Sequence, residues 1–441
     1  MYKTTTPLNK LSFVLFLVLG ACASQKKERI VSVDQQEVHR IISTLADDRL
    51  KGRAVFTPEI EEAATFIEGE FKKAGLQPLK ANENDFLQRF QATQIKPSLC
   101  EILLDGKELD SDAGFVLSDQ AGLNWNTDPE VRILSISASD NFRKKYKEIS
   151  QQDINAIVCV DESFVKEFNY LKQHADNGRI LLNTDQKKKG SLVFVLSKEQ
   201  PKSFRINYTG TVENKGLANV VGVLPGRSKP NEFVIFSGHY DHIGILKPID
   251  RDSIANGADD DASGVTAVIS LANIFAKQKD NERTLIFAAF TAEESGGYGS
   301  QYFSKQLNPD HVVAMINIEM IGKDAKFGAN SMYLTGFEKS DLGKILQRNV
   351  KGTGFSFYPD PYPEQNLFYR SDNATLAALG VPAHTVSTVQ IDKDNYYHTV
   401  KDELETLDIK NIVSSINAVA LGARSIIAGK ETPTRLEPLK N

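Results

Sequence analysis

The chain has 441 residues, a formal net charge of −5, 41% hydrophobic residues and 25% charged residues. These proportions are ordinary for globular proteins. The 29 glycines and 16 prolines are too few for a collagen-like or low-complexity chain, and no lysine-arginine block is long enough to suggest a nucleic-acid surface.

At roughly 150 residues per domain, the length implies two or three domains, or one large domain carrying an insertion. Residues 1–21 read as an export signal. Lys3 and Lys10 make a positive start, and residues 11–19 form an apolar run. That run is well short of the ~20 residues a membrane-spanning helix needs. It ends in Leu19-Gly20-Ala21-Cys22, which resembles a bacterial lipobox. The resemblance implies that Cys22 is lipidated and becomes the mature N-terminus. It places the protein in the bacterial cell envelope, anchored to a membrane, on the periplasmic or surface side. Residues 22–34 are polar and suit a tether. The two other cysteines, Cys100 and Cys159, could be bridged or could be free thiols, and the sequence leaves that open. The absence of any Cys-x-x-Cys excludes a cysteine-ligated zinc site of that spacing.

Residues 35–95 read as the first part of a catalytic domain, with helices over 35–50 and 58–75. In the second, Ile60, Ala63, Ala64, Ile67, Phe71 and Ala74 recur at three- and four-residue steps. Pro58 opens this helix and Gly75 closes it. Residues 96–205 carry short strand-like runs at 131–136, 156–160 and 192–196, with few chemically suggestive groups. They read as an inserted, β-containing accessory domain. From 206 to 430 the pattern is α/β. Apolar runs at 233–236, 284–290 and 312–318 suit strands buried on both faces. The helix predicted over 263–277 carries Val265, Val268, Ile269, Ala272, Phe275 and Ala276 as its apolar stripe.

Each buried run ends in polar chemistry. His239-Tyr240-Asp241-His242 follows the first, Glu293-Glu294 the second and Glu319 the third. Asp259-Asp260-Asp261 precedes the helix, and Tyr397-His398-Thr399 lies further on. Polar groups just past the carboxyl ends of several strands mark the usual ligand site of an open α/β sheet. Two histidines, two glutamates and an aspartate are a donor set for a pair of divalent metals, because carboxylate can bridge two ions and imidazole suits zinc. Three adjacent aspartates also call for a nearby cation.

These motifs, with Arg370-Ser371-Asp372-Asn373, occur in an order that resembles the co-catalytic zinc exopeptidases of metallopeptidase family twenty-eight (clan MH). That family includes bacterial leucyl aminopeptidases, glutamate carboxypeptidase and glutaminyl cyclases. The resemblance covers most of residues 40–95 and 215–415. It implies a three-layer α/β/α sandwich on a mixed, mostly parallel sheet. It implies two Zn²⁺ ions (other divalent metals also fit) and peptide substrates. Asp260 would bridge the ions, His239 and Glu319 would complete one, and Glu294 and His398 the other. Asp241 would orient His239, and Glu293 would be the general base. Tyr369, Arg370 and Ser371 would line the substrate side of the cleft, and His242 would sit behind a ligand or in the cleft. Residues 96–205 resemble protease-associated domains and would restrict the enzyme to short peptides.

Two positions depart from the pattern: Glu319 stands where the family usually has Asp, and Asn373 where many relatives have His. Asn373 receives no role. His384, in an apolar run, reads as a core residue, and His39 and His174 as surface residues. An aminopeptidase is the leading expectation. A carboxypeptidase, with Arg370 reading a terminal carboxylate, stays open. Asp259-Asp260-Asp261 argues against a cyclase, and the complete donor set argues against an inactive binding protein. The oligomeric state is not legible.

Overall fold

A computed structural model describes residues 1–2, 32–79, 85–182 and 190–439. The export signal and Cys22 lie outside the described residues. Residues 1–31 and 32–441 separate into two units, and the second carries everything that follows.

The core is a mixed sheet. Its four central strands, Ala383–Ser387, Val312–Ile318, Lys229–His239 and Arg283–Phe290, lie side by side in that order and are parallel. Val312–Ile318 and Arg283–Phe290 are buried at every position, as continuous apolar runs require. Ser331–Leu334 joins one side antiparallel, and Ser356–Pro359 extends it. On the other side the sheet continues antiparallel into Phe204–Leu224 and Leu87–Leu104.

Helices cover both faces. Gln35–Leu45, Pro58–Ala74, Gly264–Gln278 and Ile409–Gly422 pack into the larger core, and Tyr298–Lys305 and Asn373–Ala378 close the smaller one. The α/β/α sandwich read from the sequence is therefore the fold. Pro58 occupies the first position of its helix, and Gly75 caps it in the left-handed conformation at φ 80°. Gly264–Gln278 is buried nearly all round rather than along one stripe, because Pro58–Ala74 and Ile409–Gly422 cover its outer side.

The segment between the two long strands adds a second sheet. Arg132–Ile136, Ala156–Val160 and Leu192–Leu196 pair in parallel, with Gly114–Leu117 antiparallel at the edge. Phe142–Ser150 and Val165–Asp176 pack on one face of it, and the outer ends of the long strands pack on the other. Those strands, Leu87–Leu104 and Phe204–Leu224, run unbroken through residues 95/96 and 205/206. Core and insertion thus share one pair of hydrogen-bonded strands. Cys100 is exposed and Cys159 buried, and both are free thiols. No helix among the described residues is long and apolar enough to cross a membrane.

Candidate active site

The parallel register aligns the strand ends. His239 pairs beside Phe290, and Ser237 beside Asn317. The residues that follow, Glu293, Glu294 and Glu319, therefore converge on one edge of the sheet. The 258–263 turn enters from the helix side and brings Asp260 into the middle.

Asp260 faces both ways. Its Oδ1 lies 3.1 Å from His239 Nε2, and its Oδ2 lies 3.3 Å from His398 Nε2. Donor atoms of His239, Asp260 and Glu319 all fall within 4.8 Å of one another, and so do those of His242, Asp260 and Glu294. Glu294 is held between two imidazoles, with Oε1 2.9 Å from His242 Nδ1 and Oε2 3.0 Å from His398 Nε2. Buried His239 Nε2 and Glu319 Oε2 have no hydrogen-bond partner. Buried polar atoms are normally satisfied. His239 Nε2 and Asp260 Oδ1 sit in contact yet off the hydrogen-bond line, as two ligands of a shared cation would. The donor set of two His and three carboxylates, buried or half-buried and partly orphaned, fits a pair of zinc-like ions.

The electrostatics agree. Burial alone would raise the Glu294 carboxyl, but the hydrogen bonds from His242 and His398 outweigh it and hold the group at about 2. Burial would lower His398, and Asp260 and Glu294 instead push it up to about 10. Glu293 is pushed well above the usual carboxylate range, first by burial and then by Glu319, Asp372 and Glu294, against the pull of His239.

Behind the donors, three other acids are tied to main chain. Asp261 accepts from the N–H groups of His239, Gly264 and Met320. Asp259 accepts from Gly322 at 2.7 Å and faces Lys323 Nζ at 3.3 Å. Asp402 accepts from the N–H groups of Asp259 and Asp260, locking the His398 loop to the aspartate turn.

Asp241 differs from its expected part. The contact to His239 Nδ1 is made by the Asp241 main-chain carbonyl at 3.1 Å, while the carboxylate stands 3.9 Å away. Its two oxygens instead accept from the N–H groups of Glu293 and Glu294 at 3.0 and 3.2 Å. Asp241 therefore orients the glutamate pair, and its turn orients the histidine.

A recess of about 80 Å³ opens beside Glu293 and Glu319, with Arg370 and Ser371 in its wall. Ser371 accepts from Asn317 Nδ2 at 2.7 Å. Tyr369 does not line this recess. Its ring packs edge-on against Phe368, 4.7 Å between centroids. Met320, Tyr333, Leu367, Val389 and Ile391 form the apolar part of the wall, and no motif pointed to them. Asn373 bonds to Phe368 O, Ala383 O and Thr385 Oγ1, which makes it a core brace. His384 is a core residue, as expected, bonded to Ser340 Oγ and Thr335 O. His174 is exposed, as expected, and it borders a larger cavity that also reaches Glu294 and His398.

Arg53 was missed. It is 1% exposed and donates to the carbonyls of Leu45, Tyr240, Asn256 and Gly257. It lies in a short loop after the first helix, where a lone arginine carries no periodic or motif signal.

Paired metal-competent donors at the strand ends of a mixed, largely parallel α/β sheet make this a candidate metal centre. Residues 219–422 match the model of peptidase family M28. Among curated relatives, a protein of Pyrenophora teres f. teres named "Probable zinc metalloprotease" is 40% identical over 108 residues, covering 24% of this chain and 23% of that protein. Leucine aminopeptidase 1 of Metarhizium robertsii is 27% identical over 209 residues, covering 44% and 51%. The chain thus spans between about a quarter and a half of the length of these relatives. Two solved structures share the fold over nearly their whole length. The aminopeptidase from Aneurinibacillus sp. strain AM-1 has 17% identity and a TM-score of 0.57, with 93% of this chain and 97% of that one covered. BSAP, a zinc aminopeptidase from Bacillus subtilis, has 14% identity and a TM-score of 0.55, with 92% and 99% covered.

Proposed function

We propose that the protein is an exported, lipid-anchored two-zinc aminopeptidase, held in the bacterial cell envelope through Cys22. The observation that carries the catalytic reading is the Asp260 carboxylate. One oxygen faces His239 and the other faces His398, with Glu319 on the first side and Glu294 on the second. His239, Asp260 and Glu319 would hold one ion, and Asp260, Glu294 and His398 the other. When bound, such ions supply Lewis acidity, making water more acidic and offsetting negative charge on the carbonyl oxygen.

The chain's own residues do the rest. Glu293 is fixed by the bond from its N–H to Asp241 and borders the recess. It takes a proton from the attacking water and returns it to the leaving amine. A proton held on a buried carboxyl near other acids is retained more readily, which suits a group that must carry it between two steps. A recess of about 80 Å³ suits a single side chain, in keeping with removal of residues one at a time.

A second reading rests on Arg370. A guanidinium in the wall of the recess could hold a terminal carboxylate, which would make the enzyme a carboxypeptidase. A short peptide panel with free and blocked ends separates the two. The aminopeptidase loses all cleavage when the N-terminus is acetylated. Cleavage of N-acetylated peptides from the carboxyl end would overturn that polarity and favour the Arg370 reading.

A further inference from the structure

Two cavities meet over Glu294 and His398. One is the recess of about 80 Å³. The other is a chamber of about 790 Å³ that shares Glu294 and His398 with it. The chamber is roofed by the segment between the two long strands. Tyr146 comes from the Phe142–Ser150 helix, and Tyr170 and His174 from Val165–Asp176. The roof is fastened to the catalytic body on two sides. Tyr298 donates to Ile180 O at 2.6 Å, and Arg143 donates to Gln365 Oε1 at 3.1 Å.

Tyr170 and His174 form an edge-to-face ring pair, 4.5 Å between centroids. Tyr170 nevertheless remains 50% exposed and lines the chamber. The charge of Glu294 reaches both side chains, and that of Glu293 and Arg370 reaches Tyr170. Exposed aromatic groups facing a cavity are a binding surface for apolar and planar groups.

A peptide crossing the donor set has one residue in the recess and the remainder in the chamber. We propose that Tyr170 and His174 form a subsite for the residues downstream of the scissile bond, favouring an aromatic or large apolar side chain there. This rests on the aminopeptidase reading for its direction, and on the shared walls of the two cavities for its existence. The chamber's size lies within the usual range of ligand sites, about 300–1,000 Å³, so the subsite suits short peptides.

The test compares leucinamide, which does not extend into the chamber, with Leu-Phe-Ala-Ala. Tyr170→Ala and His174→Ala are expected to lower kcat/KM for the tetrapeptide, relative to leucinamide, by roughly three- to tenfold, through KM. Tyr170→Phe keeps the ring and should retain most of the preference. A proportional change on both substrates, or none on the tetrapeptide, would overturn the subsite. Calorimetric binding of the tetrapeptide to zinc-loaded Glu293→Gln protein, with and without Tyr170→Ala, decides the question without turnover. Weaker binding in the double variant supports the subsite, and equal affinity overturns it. A wild-type enzyme that cleaves neither substrate refutes only the proposed activity.

Discussion

Replacing Arg53 by methionine removes a fully buried cation behind the acidic site. Its guanidinium joins four main-chain carbonyls on three segments: Leu45 at the end of the first helix, Tyr240 beside His239, and Asn256 with Gly257 at the start of the aspartate turn. Hydrogen bonds to a charged group each contribute about 1.5–3 kcal/mol, so four amount to ~6–12 kcal/mol gross. Burial opposes this. It lowers the Arg53 pKa from 12.5 to about 10 despite the nearby charges of Asp241, Asp260 and Asp402. At about 1.4 kcal/mol per tenfold, that drop costs ~3 kcal/mol. The difference is roughly 3–9 kcal/mol, and the loss expected on substitution is its lower part, about 3–5 kcal/mol, the range seen when one partner of a buried charge network is removed. Urea denaturation monitored by tryptophan and tyrosine fluorescence measures it. Arg53→Lys should recover little, because a single ammonium does not span four carbonyls. A loss below ~1 kcal/mol would refute the view that Arg53 organises the site from behind.

Four further outcomes follow from the same geometry. Glu293→Gln should cut kcat by on the order of 10²–10⁴ while zinc content, read by mass spectrometry, stays at the wild-type level. His242→Ala removes the bond to Glu294 Oε1 and should weaken zinc by roughly 10–100-fold, as loss of a ligand-orienting partner does; a chelator competition reads this without any substrate. His384 is buried and its pKa is lowered to about 4 by burial, against an ordinary 6.5. Its neutral form is the folded form, so its contribution is present above pH 6.5 and lost as pH falls toward 4. That window is worth about 3 kcal/mol, and urea midpoints at pH 7 and pH 4.5 should flatten in His384→Gln. Cys22→Ala should shift the protein from the detergent phase to the aqueous phase, and an unchanged partition contradicts the lipid anchor.

The catalytic half was legible because its signals are local. Continuous apolar runs ended at His239, Glu294 and Glu319, and a parallel register turns such endings into neighbours. The parts that escaped depend on long-range placement. The recess wall of Met320, Tyr333, Val389 and Ile391 assembles from segments whose apolar residues look like ordinary core. Tyr170 and His174 sit on a polar helix with little periodicity to distinguish lid from surface, and only the fastening of the insertion across the cleft gives them meaning. The family resemblance implies that Asp241 orients His239, but a motif does not say which of its oxygens does the work. The carbonyl took the imidazole and the carboxylate took the Glu293-Glu294 turn.

Counting zinc on the intact protein tests the central claim most directly. Native mass spectrometry of the zinc-loaded chain should show two ions. Glu319→Ala and Glu294→Ala should each leave one, since they stand on opposite sides of Asp260. A wild-type count of one, or two single variants that both keep two, would contradict a site bridged by Asp260.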